Sequence, residues 1–554
     1  MKNEKKIDEI FFLPLGGSGE IGMNFNMYGY KNQWLIIDCG VTFRDPEILG
    51  SEIFMPNLKI ILQEKMKISG LFITHAHEDH IGAVQHLWPV LKCPIYTTPF
   101  SAHLLKQRLI DAGILDKVKL VVIKKESKFS VGSFDLELIN VNHSIIEPNA
   151  ILIKCGNKKI LHTGDWKLDD QPNIGNKTNI KKLKRIGKSG VHALVCDSTN
   201  ANVEGVSGSE NDLLKGFSKN IKNFPNRIFF TMFASNVERL NNIINLSKKL
   251  NREVGLIGRS MWRMFKAAKD TGYINLNTNI LSERNMKNIQ KNKFLAICTG
   301  SQGEPLGALN RMADGIHPHI NFSKGDRVIF SSRRIPGNEY SINNLINKLI
   351  EKEVEIILPR GKDIHVSGHP AIEELKNMYS WIMPKIAIPI HGEASHIKSH
   401  YDLAKKIGVK DVVETNNGHC INIAGEKSNL VNKFFTGRLA LNGEEIVPVD
   451  SSIFKERKKM LYNGVISVNF IVSETGDLQE LPRIKMLAVY SEMDKKNLKD
   501  MSYYLHDQIK ELVPLKMNKE DSTKEFLRKK LKKYVSNNFY KTPSVIIDII
   551  YLED

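Results

Sequence analysis

Short apolar runs alternate with turns along the first third of the chain, and each run has the length of a buried β-strand. Strand ends hold loop residues rigidly, so the active sites of layered α/β proteins collect there. Polar residues follow several of these runs directly: QWLIID at 33–38, GLFIT at 70–74 and ALVCD at 193–197 end on Asp38, Thr74 and Asp197. The pattern therefore predicts a layered α/β domain with a functional site at its strand ends.

The apolar pattern also predicts how the rest of the chain is organised. A β-hairpin is expected where 151–154 and 159–162 flank the turn residues Gly156 and Asn157. From about Ser209, apolar strands alternate with helical patterns, which is typical of a doubly wound parallel sheet in a second domain. Strand-and-loop patterning returns at 385–391, and a third unit of three strands and a helix follows Asp450.

Composition narrows the class of protein. Hydrophobic residues make up 42% and charged residues 25% of the 554 residues, which excludes a mainly disordered or collagen-like chain. Lys and Arg number 79 against 61 Asp and Glu, so the formal net charge is +18. A basic balance favours a polyanionic partner such as nucleic acid or an anionic membrane surface. A lysine-rich composition without functional meaning is the alternative.

Signals for export or for a membrane span are not found in the sequence. The apolar patch at 10–15 is broken by Pro14 and by Gly16 and Gly17, and it lacks the features of a signal peptide. The six cysteines are scattered without a C-x-x-C pair, as expected for reduced, buried side chains. We therefore expect a cytoplasmic protein that does not associate with membranes.

The densest cluster of chemistry is HAHEDH at 75–80, directly after a predicted strand and before a predicted helix from Ile81 onward. Imidazole nitrogens and carboxylate oxygens suit divalent zinc or manganese. His75 and His77 can converge on one ion, whereas Asp79 and His80 lie further round the turn and can reach a second. A polar helix-start loop with chance histidines is the alternative, but three histidines and an aspartate within six residues favour metal.

Further metal ligands are expected at other strand ends. His143 follows the predicted strand 134–139, and Asp165 in HTGDWK follows the second strand of the hairpin. An aspartate has two carboxylate oxygens, so Asp165 can bridge two ions. Asp38 is expected to support a ligand from behind, by accepting an imidazole N–H.

One upstream motif has two interpretations. GSGEIG at 17–22 matches the dinucleotide-binding pattern G-x-G-x-x-G, and Asp38 lies where that fold carries its ribose-binding acid. The motif requires a helix after the glycines, but 23–30 has the pattern of a strand. We therefore favour a tight loop beside the metal site, where the backbone must approach closely.

The motifs together resemble a known family. HAHEDH, HTGDWK and the strand end at Asp38 resemble the metallo-β-lactamase-fold hydrolases, and the segments around Asp197, His369 and His391 resemble the β-CASP group of that fold. LGGSGEIGMN, FASN, GRSM, TGSQGEP, SSRRIPGNE, HVSGH and IHGE extend the resemblance to bacterial ribonuclease J over essentially the whole chain. The resemblance implies an α/β fold, an αββα sandwich at 1–208 and 363–449, with an inserted β-CASP α/β domain at 209–362 and a linker and small α+β C-terminal domain at 450–554.

The resemblance also implies a two-metal nuclease. One ion would be held by His75, His77, His143 and Asp165, and the other by Asp79, His80, Asp165 and His391, with zinc favoured over manganese. Asp79, Asp197 and His369 are the implied catalytic residues: His369 would contact the scissile phosphate or protonate the leaving oxygen, and Asp197 would orient groups of the site. His391 favours RNA, because DNA-directed relatives usually carry an apolar residue there.

Substrate contacts follow from the same resemblance. The segments that would bind RNA phosphates are Ser235, Asn236, Ser331, Ser332, His365, Val366, Ser367, Gly368 and His369. Ser235 and Asn236 begin a predicted helix, so the alternative for them is a plain N-cap. Arg333 and Arg334 belong to the same family-like segment as Ser331 and Ser332, and the alternative for them is a pair of solvated surface side chains. A pocket for a 5′-monophosphate would favour 5′-to-3′ exonuclease activity, and endonuclease activity is expected as well. The resemblance implies a role in RNA maturation and decay. It also implies a homodimer or homotetramer.

Two other functions are compatible with parts of the pattern. A metallo-β-lactamase-fold hydrolase of a small ester or thioester would use the same ligands, but the basic charge, the insertion and the residues Asp197, His369 and His391 oppose it. A non-catalytic RNA-binding scaffold would have lost its metals, and the intact ligand set opposes that.

Overall fold

Two β-sheets packed face to face form the centre of the larger part of the computed structural model, which describes residues 9–43, 45, 47–275, 279–489, 495–510 and 520–552. The first sheet has eight strands, in the spatial order Asn429–Lys433, His419–Asn422, Ile10–Gly16, Phe25–Tyr30, Gln33–Ile37, Ile68–Phe72, Ile95–Thr97 and Leu120–Val122. The second has seven, in the order Lys128–Val131, Phe134–Asn140, Asn149–Cys155, Lys158–His162, Ala193–Asp197, Ile386–Ile390 and Asp411–Val412.

Apolar side chains fill the space between these sheets and behind the second one. Leu35 and Phe72 of the first sheet meet Leu138 and Ile153 of the second in one core. A second core joins the outer face of the seven-stranded sheet to the helices Ile180–Lys188, Ile372–Ile382 and Ala394–Ile407. The other helices of this region are Lys59–Gln63, Glu78–Ile81, Val84–Leu91 and Pro99–Asp111. The central strands of the seven-stranded sheet, Asn149–Cys155, Ala193–Asp197 and Ile386–Ile390, are almost wholly apolar because both faces of this sheet are covered.

A separate five-stranded sheet is formed by residues 228–357, which lie in the sequence between the two segments that build the two packed sheets. Its strands are all parallel, in the order Glu253–Ile257, Phe294–Cys298, Ile228–Thr231, Arg327–Phe330 and Glu355–Ile357. Its helices are Leu213–Ile221, Val237–Lys249, Arg259–Asp270, Ala308–Ala313 and Glu339–Glu351, with 3₁₀ turns at Asn285–Asn288 and Lys291–Lys293. The predicted doubly wound sheet is therefore confirmed.

The chain divides into two compact units, Met1–Thr42 with Met55–Gly437, and Phe43–Phe54 with Arg438–Asp554. The second unit has a three-stranded sheet, Arg483–Leu487, Val465–Val472 and Ser544–Tyr551. The strands of a four-stranded sheet are Glu445–Pro448, Arg438–Asn442, Ile53–Pro56 and Thr42–Phe43. The helices of the second unit are Ser452–Asn463, Lys495–Lys510 and Glu520–Phe539. Every second residue of Val465–Val472 is buried, so one face of this strand packs on Leu505 and Leu527. The predicted domain boundaries at 208, 362 and 449 stay predictions.

Two local expectations are settled by the structure. The helix expected from Ile81 onward begins earlier, at Glu78, because His77 is extended and Glu78 and Asp79 lie in the first turn, where carboxylates are stabilised. The dinucleotide interpretation of residues 17–22 is wrong, since the strand Phe25–Tyr30 follows the glycines instead of a helix. Among the helices of the described residues, none is both long and apolar enough to cross a bilayer.

Candidate metal centre

The loop that follows the strand Ile68–Phe72 carries His75 and His77 and leads into the short helix Glu78–Ile81, and Asp38 and Gly40 support it from behind. The Asp38 carboxylate is 1% exposed and accepts the Thr74 N–H at 2.7 Å and the Thr74 hydroxyl at 2.9 Å. A Cβ atom at Gly40 would lie 1.7 Å from the carbonyl oxygen of Asp79, so only glycine fits under the loop. Asp38 adopts a left-handed φ of 67° and His391 one of 55°, which is backbone strain of the kind found at functional sites.

Four side chains converge in a first donor set, which comprises His75, His77, His143 and Asp165. His77 Nδ1 lies 3.1 Å from His75 Nε2 and 3.0 Å from His143 Nε2. Asp165 Oδ2 lies 3.8 Å from His75 Nε2 and 3.5 Å from His143 Nε2. Tetrahedral ligands about 2.05 Å from a zinc ion are separated by about 3.4 Å, so these spacings match such a site.

A second donor set comprises Asp79, His80, Asp165 and His391. His80 Nε2 lies 3.2 Å from Asp165 Oδ2 and 3.5 Å from Asp79 Oδ2. His391 Nε2 lies 3.1 Å from the same Asp79 oxygen. Asp165 Oδ2 therefore belongs to both sets, and the structure brings together all seven residues predicted as metal ligands.

The outer ring nitrogen of each of these histidines contacts a hydrogen-bonding partner. Such partners fix the ring orientation and the tautomer of a metal ligand. The partners are Thr74 Oγ1 for His75 (2.9 Å), Ser235 Oγ for His77 (3.0 Å), Asp38 Oδ2 for His80 (2.7 Å), the Gly368 carbonyl for His143 (2.6 Å) and Thr199 Oγ1 for His391 (2.8 Å). The inner nitrogens are thereby left to face one another, as in a metal site.

The electrostatics of the site also suit a cation. Burial lowers the pKa of His77 to about 4 and that of His75 and His143 well below the usual value, so these imidazoles are neutral. Burial would raise the pKa of Asp165, but His391 and His80 hold it well below the usual range. Neutral imidazoles and an ionised carboxylate are the protonation states that metal binding requires. The first donor set therefore fits a divalent metal ion. In the second set burial would lower the pKa of His80 and His391, but nearby carboxylates raise that of His391 to about 10 and that of His80 well above the usual value, so an ion bound there would displace protons.

Asp197 and His369 form a pair beside the metal ligands. Asp197 Oδ2 accepts from His369 Nδ1 at 2.8 Å, and Asp197 itself is 0% exposed. Burial alone would lower the pKa of His369, but the Asp197 carboxylate raises it above the usual value. His369 Nδ1 is 3.9 Å from Asp165 Oδ2, so a protonated imidazole lies at the edge of the centre.

The predicted RNA-contacting residues differ in the exposure and in the partners of their side chains. Asn236 caps the helix Val237–Lys249, since its side chain accepts from the Arg239 N–H at 3.0 Å, and the Ser331 hydroxyl donates to the Ile364 carbonyl at 2.7 Å. Both side chains are buried and committed to contacts inside the protein. Ser367 and His369 are partly exposed.

Several supporting residues were not predicted as site residues from the sequence. Thr74 and Thr199 each contact a histidine of the centre, and the Asn200 amide donates to Ser367 Oγ at 2.8 Å. Arg333 Nη1 donates to Asn200 Oδ1 at 2.9 Å, so this arginine is not a plain solvated side chain. The available signal was the position of both threonines directly beside a predicted strand end.

Comparison with known families agrees with this geometry. Residues 33–180 match the beta-lactamase superfamily domain, 225–349 the ribonuclease J beta-CASP domain, 357–414 the Zn-dependent metallo-hydrolase RNA specificity domain, and 452–552 the ribonuclease J C-terminal domain. A crystal structure of a protein of unknown function from Enterococcus faecalis V583 has a similar fold, with a TM-score of 0.53 at 17% identity, covering 75% of this chain and 100% of that one. Fold and site thus define a metallo-β-lactamase-fold hydrolase with an inserted β-CASP domain.

Whole-length relatives identify the family. Ribonuclease J of Sinorhizobium meliloti is 39% identical over 85% of this chain and 84% of its own length. Ribonuclease J of Helicobacter pylori strain J99 is 34% identical over 96% of this chain and 78% of its own length. The chain belongs to the ribonuclease J family, and it is a metal-dependent ribonuclease that binds RNA. The predicted family and fold class are confirmed.

Proposed function

We propose that the protein hydrolyses RNA phosphodiesters with two divalent ions, as a 5′-to-3′ exonuclease on 5′-monophosphorylated RNA that also cuts internally. The observation that carries this proposal is the pair of overlapping donor sets that share Asp165 Oδ2. Zinc is the favoured metal because imidazole nitrogen dominates the first set, and manganese is the alternative.

In this proposal the seven ligands divide between two ions. The first ion would be held by His75, His77, His143 and Asp165, and the second by Asp79, His80, Asp165 and His391. When bound, such a pair lowers the pKa of a water molecule and neutralises charge on the phosphate. The buried Asp165 carboxylate and the partly exposed Asp79 carboxylate would offset the positive charge of the ions, and Asp38 and Thr199 hold two of the imidazole ligands in place.

The leaving oxygen requires a proton. Hydrolysis adds the oxygen of water to phosphorus and breaks the bond to the 3′ oxygen, so the products carry a 5′-phosphate and a 3′-hydroxyl. His369 is the proposed donor of this proton, because the Asp197 carboxylate favours its protonated form and holds its Nδ1, leaving Nε2 for the substrate. Asp197 thus orients the acid without contacting the substrate.

The 5′ end of the substrate is proposed to bind next to the centre, along Ser235, Ser332 and residues 365–368. Ser235 supports this placement because its hydroxyl lies 3.0 Å from His77 Nε2, beside the first donor set. The positive net charge of the chain, +18, adds a long-range attraction for RNA. A homodimer or homotetramer and a cytoplasmic location remain predictions.

The test uses a 3′-labelled RNA with a 5′-monophosphate, incubated with the purified protein and either Zn²⁺ or Mn²⁺, with and without a chelator. We expect metal-dependent release of mononucleotides from the 5′ end, and slower decay of the same RNA with a 5′-triphosphate. Internal cutting is tested on a circular RNA, which has no end. No degradation with any metal would refute the proposal, and equal rates for both 5′ ends would refute the pocket alone.

A further inference from the structure

The guanidinium group of Arg239 is buried and uses every donor it has. Arg239 is 2% exposed, and its Nε and Nη2 donate to the Glu210 carboxylate at 2.9 and 2.6 Å. Its Nη1 donates to the Ser331 carbonyl at 2.7 Å and to His365 Nδ1 at 2.8 Å, and Nη2 also donates to the Val366 carbonyl at 3.0 Å. An arginine has five N–H groups, and all five have acceptors here.

These contacts determine where two backbone N–H groups point. The C=O of one residue and the N–H of the next lie antiparallel across a trans peptide bond. Since the Ser331 and Val366 carbonyls point at the guanidinium, the N–H groups of Ser332 and Ser367 point away from it. Within the described residues, neither of these N–H groups donates a hydrogen bond to the protein. Both are therefore available to a ligand.

The same contact sets the tautomer of His365. An arginine cannot accept a hydrogen bond, so His365 Nδ1 must be the acceptor in its contact with Arg239. Burial and the neighbouring Arg239 charge lower the pKa of His365 to about 3, so the ring is neutral and carries its proton on Nε2. His365 thus carries its N–H on Nε2, the ring nitrogen that does not contact the guanidinium.

The ion pair also reaches the third predicted RNA-contacting segment. Asn236 Nδ2 donates to Glu210 Oε1 at 2.8 Å, and Asn236 Oδ1 accepts the backbone N–H of Arg239. The neighbouring Ser235 contacts His77 in the metal centre. One buried pair therefore links residues 235–236, 331–332 and 365–367, which are far apart in the sequence.

We infer that Arg239 is the positioning residue for the 5′-phosphate: by holding three segments from behind, it aims the N–H groups of Ser332 and Ser367 and the Nε2–H of His365 at one anionic group. This inference rests on the proposed preference for a 5′-monophosphate. It assigns Arg239 no contact with the RNA, so its effect passes through the backbone and through His365.

A purely structural role makes a different prediction, and Arg252 provides the matched control. Arg252 is also buried, at 5% exposed, and it also donates to backbone carbonyls, those of Phe224, Asn226 and Phe294. None of these residues belongs to the predicted RNA-contacting segments. Loss of Arg252 therefore removes a similar buried group without disturbing the aim of Ser332, Ser367 and His365.

The experiment measures binding in the presence of chelator, so that no RNA is cleaved. A short 3′-fluorescein RNA with either a 5′-monophosphate or a 5′-hydroxyl is titrated with each variant and followed by fluorescence anisotropy. Hydrogen bonds to a charged group correspond to a preference of about 10- to 100-fold for the phosphorylated RNA in the wild type. We expect R239K to lose most of this preference, because lysine has three donors for five acceptors. R252K should retain it, even if both variants unfold at lower temperature.

The outcomes separate the inference from the function on which it rests. A wild-type protein without preference would overturn the proposed 5′-monophosphate pocket and the inference with it. A wild-type preference that survives in R239K would overturn the inference alone. Should R239K fail to fold, H365L and H365Q replace it: glutamine offers both an acceptor and an N–H donor, whereas leucine offers neither. We expect H365L to lose more of the preference than H365Q, and equal preference in H365L and the wild type would contradict the inference.

Discussion

Replacement of Asp38 by asparagine tests the support behind the metal centre. The Asp38 carboxylate accepts from the Thr74 N–H, the Thr74 hydroxyl and His80 Nδ1, at 2.7, 2.9 and 2.7 Å. Asparagine has a single acceptor oxygen, so at least one buried donor would face an NH₂ group. The loss of a partner behind a metal ligand weakens metal affinity about 10- to 100-fold, which is about 1.4–2.7 kcal/mol. The buried donor left unpaired costs about 1–3 kcal/mol of unfolding free energy.

The assay is a competition titration of Asp38→Asn with a chromophoric chelator, together with urea unfolding of the metal-free protein. The control is Asp135→Asn, an exposed carboxylate that accepts from Ser130 Oγ at 2.6 Å, far from the donor sets in the sheet. We expect the metal affinity of the control to equal that of the wild type. Wild-type metal affinity in Asp38→Asn would refute the argument that Asp38 fixes the orientation of His80.

Three further changes have separate expected results. Thr199→Val removes the hydroxyl 2.8 Å from His391 Nδ1, so calorimetric metal titration should show about tenfold weaker binding of one ion only; weakening of both would contradict the division of the ligands. His369→Gln should lower single-turnover cleavage about 10²- to 10⁴-fold while bound metal, measured by mass spectrometry, stays at the wild-type level; unchanged cleavage would exclude His369 as the acid. Leu531→Ala removes a fully buried side chain of the second unit and should lower the unfolding free energy of that unit by about 2–5 kcal/mol, with metal content as the control.

The metal ligands were predictable because the sequence places them at the ends of strands. HAHEDH follows a strand of the eight-stranded sheet, whereas His143 and Asp165 follow strands of the seven-stranded sheet. The pattern therefore places each ligand at a strand end, and the packing of the two sheets brings the ligands together. The helix boundary after this motif was wrong by three residues, since the extended backbone of His77 starts the helix at Glu78. Such boundaries depend on the dihedral angles of a single residue, which periodicity does not encode.

Asp38 was predicted as a group that supports a ligand, but Thr199 and the Gly368 carbonyl were not predictable, because they are far in the sequence from the histidines they contact. Thr199 is 192 residues from His391, and the Gly368 carbonyl is 225 residues from His143. Threonine and glycine are common residues with no metal-binding signal of their own. Likewise, the sequence around Arg239 is that of an ordinary helix, and only the fold brings its side chain to the carbonyls of Ser331 and Val366.

The number of metal ions tests the central claim most directly. Chelated protein is titrated with Zn²⁺, and the bound metal, measured by native mass spectrometry, is compared with cleavage of 5′-monophosphorylated RNA at each step. We predict two ions per chain, cleavage that rises only as the second binds, and loss of both binding and cleavage in Asp165→Ala, because Asp165 Oδ2 belongs to both donor sets. Full cleavage with one ion per chain, or in Asp165→Ala, would contradict the account.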